Sequence, residues 1–230
     1  MAVYVPQLTM PKKGNSFYDS DKNVFTASGY PRPNCTTQVE GEWMERYGVP
    51  TGCLSNAGGW IRDVKKYKLK WRVSKTPTLG AIAVWKIQGT AENGHVATVE
   101  QILENGDIVT SNSGWKSTMW WLETYQAAKG YNYTSKKTGK YYELQGFILP
   151  PVTWREQERD FQVVGIPILR LGAGKKHKGI VGMKAGWMFH YTGQYQVVEN
   201  DKWLYGFYEC KNINGQPIRF GGWTEAKNLR

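Results

Sequence analysis

Apolar positions change their spacing near residue 79, and that change separates predicted helix from predicted strand. Residues 1–33 keep neither period. They carry Pro6, Pro11, Pro31 and Pro33 around a polar stretch at 15–23, which predicts extended or irregular backbone. Beyond Cys35, the residues Val39, Trp43, Met44 and Tyr47 fall at helical spacing, so one helix face is predicted, ended by Gly48-Val49-Pro50. Residues 56–67 repeat the pattern with Trp60, Val64 and Tyr67.

From Leu79 the pattern is that of strands. Ala81-Ile82-Ala83-Val84-Trp85 is a short apolar run, and residues 95–102 form another, with Val96, Thr98 and Glu100 on one side and Ala97 and Val99 on the other. Asn105-Gly106 signals a hairpin, because both residues tolerate positive φ, and Ile108-Val109-Thr110 is the returning strand. Residues 144–149 make a last strand. Pro150-Pro151 and the charged run 155–160 then mark a boundary. Behind it come short β runs at 162–171, 187–191, 194–198, 202–208 and 217–223, with turn residues between them and no helical period. The organisation predicted is an α+β domain over 1–150, a linker at 151–160 and a small all-β barrel over 161–230.

Composition adds a binding character. Eleven Trp, 14 Tyr and 26 Gly suit open grooves lined by aromatic rings, which fit sugars and peptides. The net charge of +11 calls for an anionic partner. Residues 1–150 hold 18 Lys/Arg against 12 Asp/Glu, and residues 160–230 hold 10 against 5. A charge spread over both halves argues against a nucleic-acid binder, which concentrates it in one stripe. The three cysteines, Cys35, Cys53 and Cys210, leave at least one thiol unpaired and match no zinc spacing. Residues 1–13 lack an apolar core of signal-peptide length, and no apolar run is long enough to span a membrane.

Three residues carry candidate chemistry. Cys35 sits at a predicted helix N-terminus, where the partial positive charge favours thiolate. His95 begins a strand, and Asn112 ends the strand paired with it. A turn centred near 105 sets residue 112 opposite about residue 98, within reach of the imidazole. Nucleophile, base and a polar orienter are the parts of a cysteine-nucleophile triad. Taken singly, each has an ordinary structural reading: a buried small side chain, a structural histidine, a turn asparagine.

The segment from Asn34 to about Leu149 resembles a CHAP domain, the cysteine, histidine-dependent amidohydrolase/peptidase module of phage endolysins and bacterial autolysins. The resemblance rests on Asn34-Cys35-Thr36 before a helix bearing Trp43, on Gly58-Gly59-Trp60, and on Gly80-Ala81-Ile82-Ala83-Val84-Trp85. It continues in Gly94-His95-Val96-Ala97-Thr98-Val99-Glu100 and in Ile108-Val109-Thr110-Ser111-Asn112 with Trp115. It implies a papain-like fold. Cys35 attacks an amide carbonyl, His95 takes and returns protons, and the Cys35 backbone N–H helps to bind the oxyanion. The family often carries Glu, a residue, then Asn before a Trp; here those two places read Asn112 and Gly114, so Asn112 stands for the orienting Glu. Glu100 is a weaker candidate for that role, with an exposed strand residue as the favoured reading. Some members bind calcium through Asp runs near the nucleophile. Asp19 and Asp21 lie well ahead of Cys35, and neither metal nor cofactor is expected.

Residues 160–230 resemble a bacterial SH3-type wall-binding domain, through Lys202-Trp203-Leu204-Tyr205, Gly215 and the run from Gly222-Trp223-Thr224 to Leu229. Tyr191, Tyr195, Trp203, Tyr205 and Trp223 are candidate groove aromatics, some of which the fold would use as core. Trp115 is a further candidate at the substrate site. The two resemblances together imply a phage endolysin that cleaves the peptidoglycan of a Gram-positive wall, with teichoic acid as a further binding partner. No nucleic-acid or membrane partner is implied. The chain is expected to be a monomer, made in the infected host's cytoplasm and released by a holin rather than a signal peptide. Either the glycan–peptide amide or a peptide bond fits as the target, and a non-catalytic wall-binding protein on the same scaffold is the alternative.

Overall fold

The computed structural model describes residues 2–211 and 215–230. It divides into two units. The larger holds Val5–Ile102 and Asp107–Val152; the smaller holds Thr153–Arg230 with residues 2–4 and 103–106.

In the larger unit four helices precede a sheet: α1 (Ser16–Asp19), α2 (Val24–Ala27), α3 (Cys35–Tyr47) and α4 (Trp60–Lys66). The segment expected to be irregular thus contains two helices. Each is a single turn, too short to show a period, and each is capped by an asparagine: Asn15 Oδ1 accepts from Phe17 N, and Asn23 Oδ1 from Phe25 N. Both pack on α3. The fit against α1 is tight, since a Cβ on Gly41 would lie 2.5 Å from the Tyr18 ring and 2.9 Å from Phe17 O. Residues 35–44 of α3 are therefore all buried, on both sides of the helix. Asn34 caps its start, with Oδ1 3.1 Å from Thr36 N, and Gly48 ends it in the left-handed region at φ +70°.

The seven strands of this unit are β1 (Val73–Ser74), β2 (Ile82–Ile87), β3 (Gly94–Ile102), β4 (Ile108–Asn112), β5 (Trp121–Tyr125), β6 (Tyr133–Thr134) and β7 (Tyr141–Ile148). They form one antiparallel sheet in the order β1-β7-β2-β3-β4-β5, with β6 on β7. Val39 and Trp43 of α3 and Trp60 and Val64 of α4 pack in one core with Ile82, Val84, Val96 and Ile148. Gly94 is required where β3 starts, since a Cβ there would lie 2.0 Å from Trp85 O.

The β3–β4 pairing is not regular. Ile102 faces Ile108 and Gln101 faces Val109, but Val99 faces Thr110 and Thr98 faces Ser111. Glu100 is the extra residue of a β-bulge. One further step sets Asn112 opposite Ala97, not opposite residue 98 as an unbroken ladder from the turn would have it. Side chains alternate faces along a strand, so this one-residue shift puts Asn112 on the face of Ala97 and His95.

The smaller unit is a six-stranded antiparallel sheet of β8 (Arg159–Gln162), β9 (Ile168–Arg170), β10 (Gly179–Gly182), β11 (Met188–Val198), β12 (Asp201–Lys211) and β13 (Pro217–Glu225), ordered β10-β9-β13-β12-β11-β8. The expected linker residues Arg159 and Asp160 are already strand, paired with Tyr191 and His190. The run at 162–171 is broken in two, with Gly165 at φ +73° between its parts. The runs at 187–191 and 194–198 are one strand with an irregularity at Gly193, where a Cβ would meet Glu156 O at 2.2 Å. Phe161, Leu169, Met183, Phe189, Leu204 and Leu229 are among the residues that fill the core.

Candidate active site

Three elements carry the candidate residues. The α3 start carries Cys35, the β3 start carries His95, and Asn112 is the last residue of β4. Cys35 and His95 are 8% and 9% exposed and Asn112 is fully buried.

His95 Nε2 lies 2.9 Å from Asn112 Oδ1. The amide of Asn112 has only one sensible orientation. Its nitrogen donates to Thr110 O at 2.9 Å, Thr110 Oγ1 at 2.9 Å and Trp121 O at 3.4 Å, leaving the oxygen for the ring. Nε2 must then carry a proton to donate, so the neutral ring keeps its acceptor lone pair on Nδ1. The ring lies between two indoles, Trp85 at 5.9 Å and 29° and Trp121 at 6.1 Å and 18°. Burial lowers the His95 pKa, and the bond to Asn112 partly opposes this.

Cys35 reaches the same place by a different route. In β3 the odd residues bond to β2: Ile87 N donates to Asn93 O and Val99 N to Ala81 O, both at 2.8 Å. Even residues therefore point their amides towards β4. That strand stops at Asn112, opposite position 97, so the Val96 amide has no carbonyl of β4 to meet. The Cys35 sulfur meets it instead, beside His95 in sequence. Burial pushes the Cys35 thiol up, while the amides of Val96, Thr36 and Cys35 itself pull the other way. Desolvation thus opposes the thiolate that the helix terminus alone favours, and it opposes the charged form of the imidazole as well.

Trp115 is 52% exposed and stands 5.8 Å from the ring of Tyr30, with the Lys116 ammonium 5.0 Å over it. Lys116 N donates to Pro33 O at 3.1 Å, so this loop is tied to the turn that precedes Cys35. Several aromatic neighbours carry no sequence signal. Tyr133 stacks on Tyr142 at 4.6 Å and 10°, and lies 5.7 Å from Trp85 and 4.9 Å from Tyr125. Burial raises both the Tyr133 and Tyr142 hydroxyls, and negative charge on Cys35 would raise them further. Trp121, Tyr133 and Tyr142 sit on strands with no alternating pattern, and the spread from 85 to 142 hides the wall they form.

Glu100 is not an exposed strand residue. It is 1% exposed, and its carboxylate accepts from Gln7 N at 2.7 Å and Arg46 Nη2 at 3.1 Å, away from the imidazole. Cys53 is fully buried, with its sulfur 3.7 Å from Trp60 O. Asp19 is taken by Arg32, at 3.0 and 2.7 Å. Among the described residues no three His, Cys, Asp or Glu side chains cluster as a metal site would require, and no helix is long and apolar enough to cross a membrane.

In the smaller unit, Tyr191 and Trp203 are 2% and 3% exposed. The Tyr191 hydroxyl donates to Glu156 at 3.1 Å. Tyr191 packs in the core, whereas Trp203, though buried, lines a cavity. Tyr195, Tyr205 and Trp223 are partly exposed; Tyr205 stands 5.4 Å from Trp223, and the Lys202 ammonium lies 5.0 Å over Tyr195. A cavity of about 260 Å³ lies beside Trp203, between Arg170, Lys175 and Glu225.

Comparison with known proteins gives three results. No curated protein matches the chain. Among solved structures, an N-acetylmuramoyl-L-alanine amidase from Staphylococcus aureus is 28% identical over 50% of this chain, with a TM-score of 0.37; the chain spans about a third of it, 31%. Ly7917, solved with the hydrolyzing product of MDP, is 17% identical over 84% of this chain and 83% of its own, again with a TM-score of 0.37. Residues 25–114, the stretch that carries Cys35, His95 and Asn112, match the model of the CHAP domain.

Proposed function

We propose that this chain is a peptidoglycan hydrolase that cleaves an amide of the bacterial wall with Cys35 as nucleophile, His95 as acid and base, and Asn112 as orienter. The observation that carries the reading is the 2.9 Å bond from His95 to an asparagine with a fixed amide, with the Val96 amide, next to His95 in sequence, acting to lower the Cys35 thiol. The CHAP match over residues 25–114 supports it, as does the name of the amidase aligned with this chain.

The chemistry balances without a metal. His95 Nδ1 takes the thiol proton as sulfur attacks the carbonyl carbon. The C=O pair moves to oxygen, where the Cys35 N–H stabilises it. The C–N bond breaks, and the nitrogen leaves as an amine with the proton from Nδ1. Water then attacks the thioester carbon while His95 takes its proton; the C–S bond breaks, the sulfur recovers that proton from His95, and the product acid leaves and gives up its own proton to solvent. A neutral pair suits this order, because charge develops only once a carbonyl is in place.

The smaller unit acts in this proposal as an SH3-type wall anchor that raises local substrate concentration. Tyr195, Tyr205 and Trp223 are partly exposed aromatics in it, and the basic balance of the chain suits an anionic wall polymer such as teichoic acid. Release from a phage-infected cell as an endolysin completes the reading.

Loss of turbidity of Gram-positive walls tests it, with Cys35→Ala as control and mass spectrometry of the fragments to tell amidase from endopeptidase. Wild type should clear the walls and Cys35→Ala should bind without clearing. The low exposure of Cys35 and His95 favours a second reading, a wall-binding protein without turnover; equal inactivity of both proteins with retained binding would establish it.

A further inference from the structure

Asn112 faces His95 only because the β3–β4 register slips by one residue at Glu100. What holds the slip is a buried polar knot on the helix side of the sheet. Arg46, near the end of α3, donates to Glu42 Oε1 through Nε at 3.0 Å and Nη2 at 2.9 Å, to Glu100 Oε2 at 3.1 Å, and to Val5 O at 2.8 Å. Gln7 N donates to the same Glu100 oxygen at 2.7 Å. Glu42 Oε2 accepts from Ser111 Oγ at 3.0 Å, one residue before Asn112. The knot therefore grips both strands on either side of the irregularity: β3 at the inserted residue, and β4 at the residue whose side chain points opposite to Asn112.

We propose that Arg46, Glu42 and Glu100 are positioning residues, which hold the bulge that turns Asn112 onto the imidazole face. The sheet gains nothing locally from a bulge, which leaves one residue unpaired. An unbroken ladder would restore that pair and would put residue 112 opposite residue 98, on the helix side, away from His95. Burial first, and the charge of Glu42 second, push the Glu100 pKa well above the usual carboxylate range, and Glu100 also bonds to Glu42.

The proposal rests on the catalytic reading for its activity data, so the test includes a measurement independent of turnover. In wild type the His95 Nε2–H is shielded and hydrogen-bonded, and its ¹H–¹⁵N signal should be slow to exchange. Arg46→Met and Glu100→Ala should lose that signal while remaining folded by circular dichroism. On a soluble wall fragment kcat should fall by about the factor seen for Asn112→Ala, with KM within threefold. Arg46→Met combined with Asn112→Ala should be no slower than either alone, since both break the same bond. Glu100→Gln, which mimics the neutral acid, should keep the signal and the turnover. The idea is overturned if folded Arg46→Met or Glu100→Ala keeps the signal, if Glu100→Gln loses as much as Glu100→Ala, or if the double variant multiplies the losses. Should Arg46→Met not fold, the two Glu100 variants decide. If wild type does not hydrolyse walls, the function fails while the imidazole signal still decides the positioning.

Discussion

Replacing Asn112 by alanine removes the acceptor that faces His95 together with the amide donors to Thr110 and Trp121. The bond to His95 is buried, and in the proposed mechanism it becomes charge-assisted when His95 takes the thiol proton. Hydrogen bonds to charged groups contribute about 1.5–3 kcal/mol. At about 1.4 kcal/mol per tenfold, kcat should fall by about 10- to 150-fold, with KM little changed because the side chain is wholly buried. Asn112→Asp is the sharper variant. A carboxylate often fills the third place in such triads, yet here the amide nitrogen points at the carbonyls of Thr110 and Trp121. An aspartate has no donor for them unless it is protonated, so it should do no better than alanine at neutral pH. The assay is initial turnover of a soluble muropeptide, with wall turbidity alongside. Wild-type turnover in Asn112→Ala, or full recovery in Asn112→Asp, would show that the bond from Asn112 to His95 does not orient the base.

Alkylation of Cys35 by iodoacetamide should accelerate steadily into the alkaline range, because burial raises the thiol and lowers the imidazole; a plateau reached below pH 7 would mean a preformed ion pair and would refute the neutral resting site. Stability should carry the mark of Glu100. Its pKa is raised on folding, so its contribution is full below the unfolded value of about 4.3 and declines as pH rises from there towards the folded value. Melting temperatures of wild type measured against Glu100→Gln should therefore diverge in that direction, and parallel curves would contradict it. Gly41→Ala should cost about 1–3 kcal/mol in urea unfolding, since the new methyl meets the Tyr18 ring at 2.5 Å; an unchanged midpoint would show that α1 yields.

The parts of the site that follow a period were legible in the chain. The helix behind Cys35, the strand at His95 and the hairpin at Asn105-Gly106 each rest on spacing or turn chemistry, and each is present. The relation between residues 95 and 112 was legible only to within one position, because a bulge breaks the count without leaving a signal in composition. Glu100 alternates correctly for the helix side, yet its partners Arg46 and Gln7 are remote in sequence, so its burial could not be seen. The burial of Cys35 was hidden for a related reason: a helix terminus is visible in sequence, and the desolvation that opposes it is not. In the tail, strand positions were close, but which aromatic rings face inward depends on the irregularity at Gly193 and on the pairing with Arg159 and Asp160.

The early stop of β4 has a consequence for anyone engineering this protein. The ladder has no rung at Ser113 or Gly114, and the Val96 amide, which would face such a rung, acts instead to lower the Cys35 thiol. Conventional thermostabilisation rewards longer, better-paired strands and less irregular edges. Applied at residues 113–114, such a redesign would offer the Val96 amide a backbone oxygen in place of Cys35 and, under the proposed mechanism, would exchange turnover for a higher melting point.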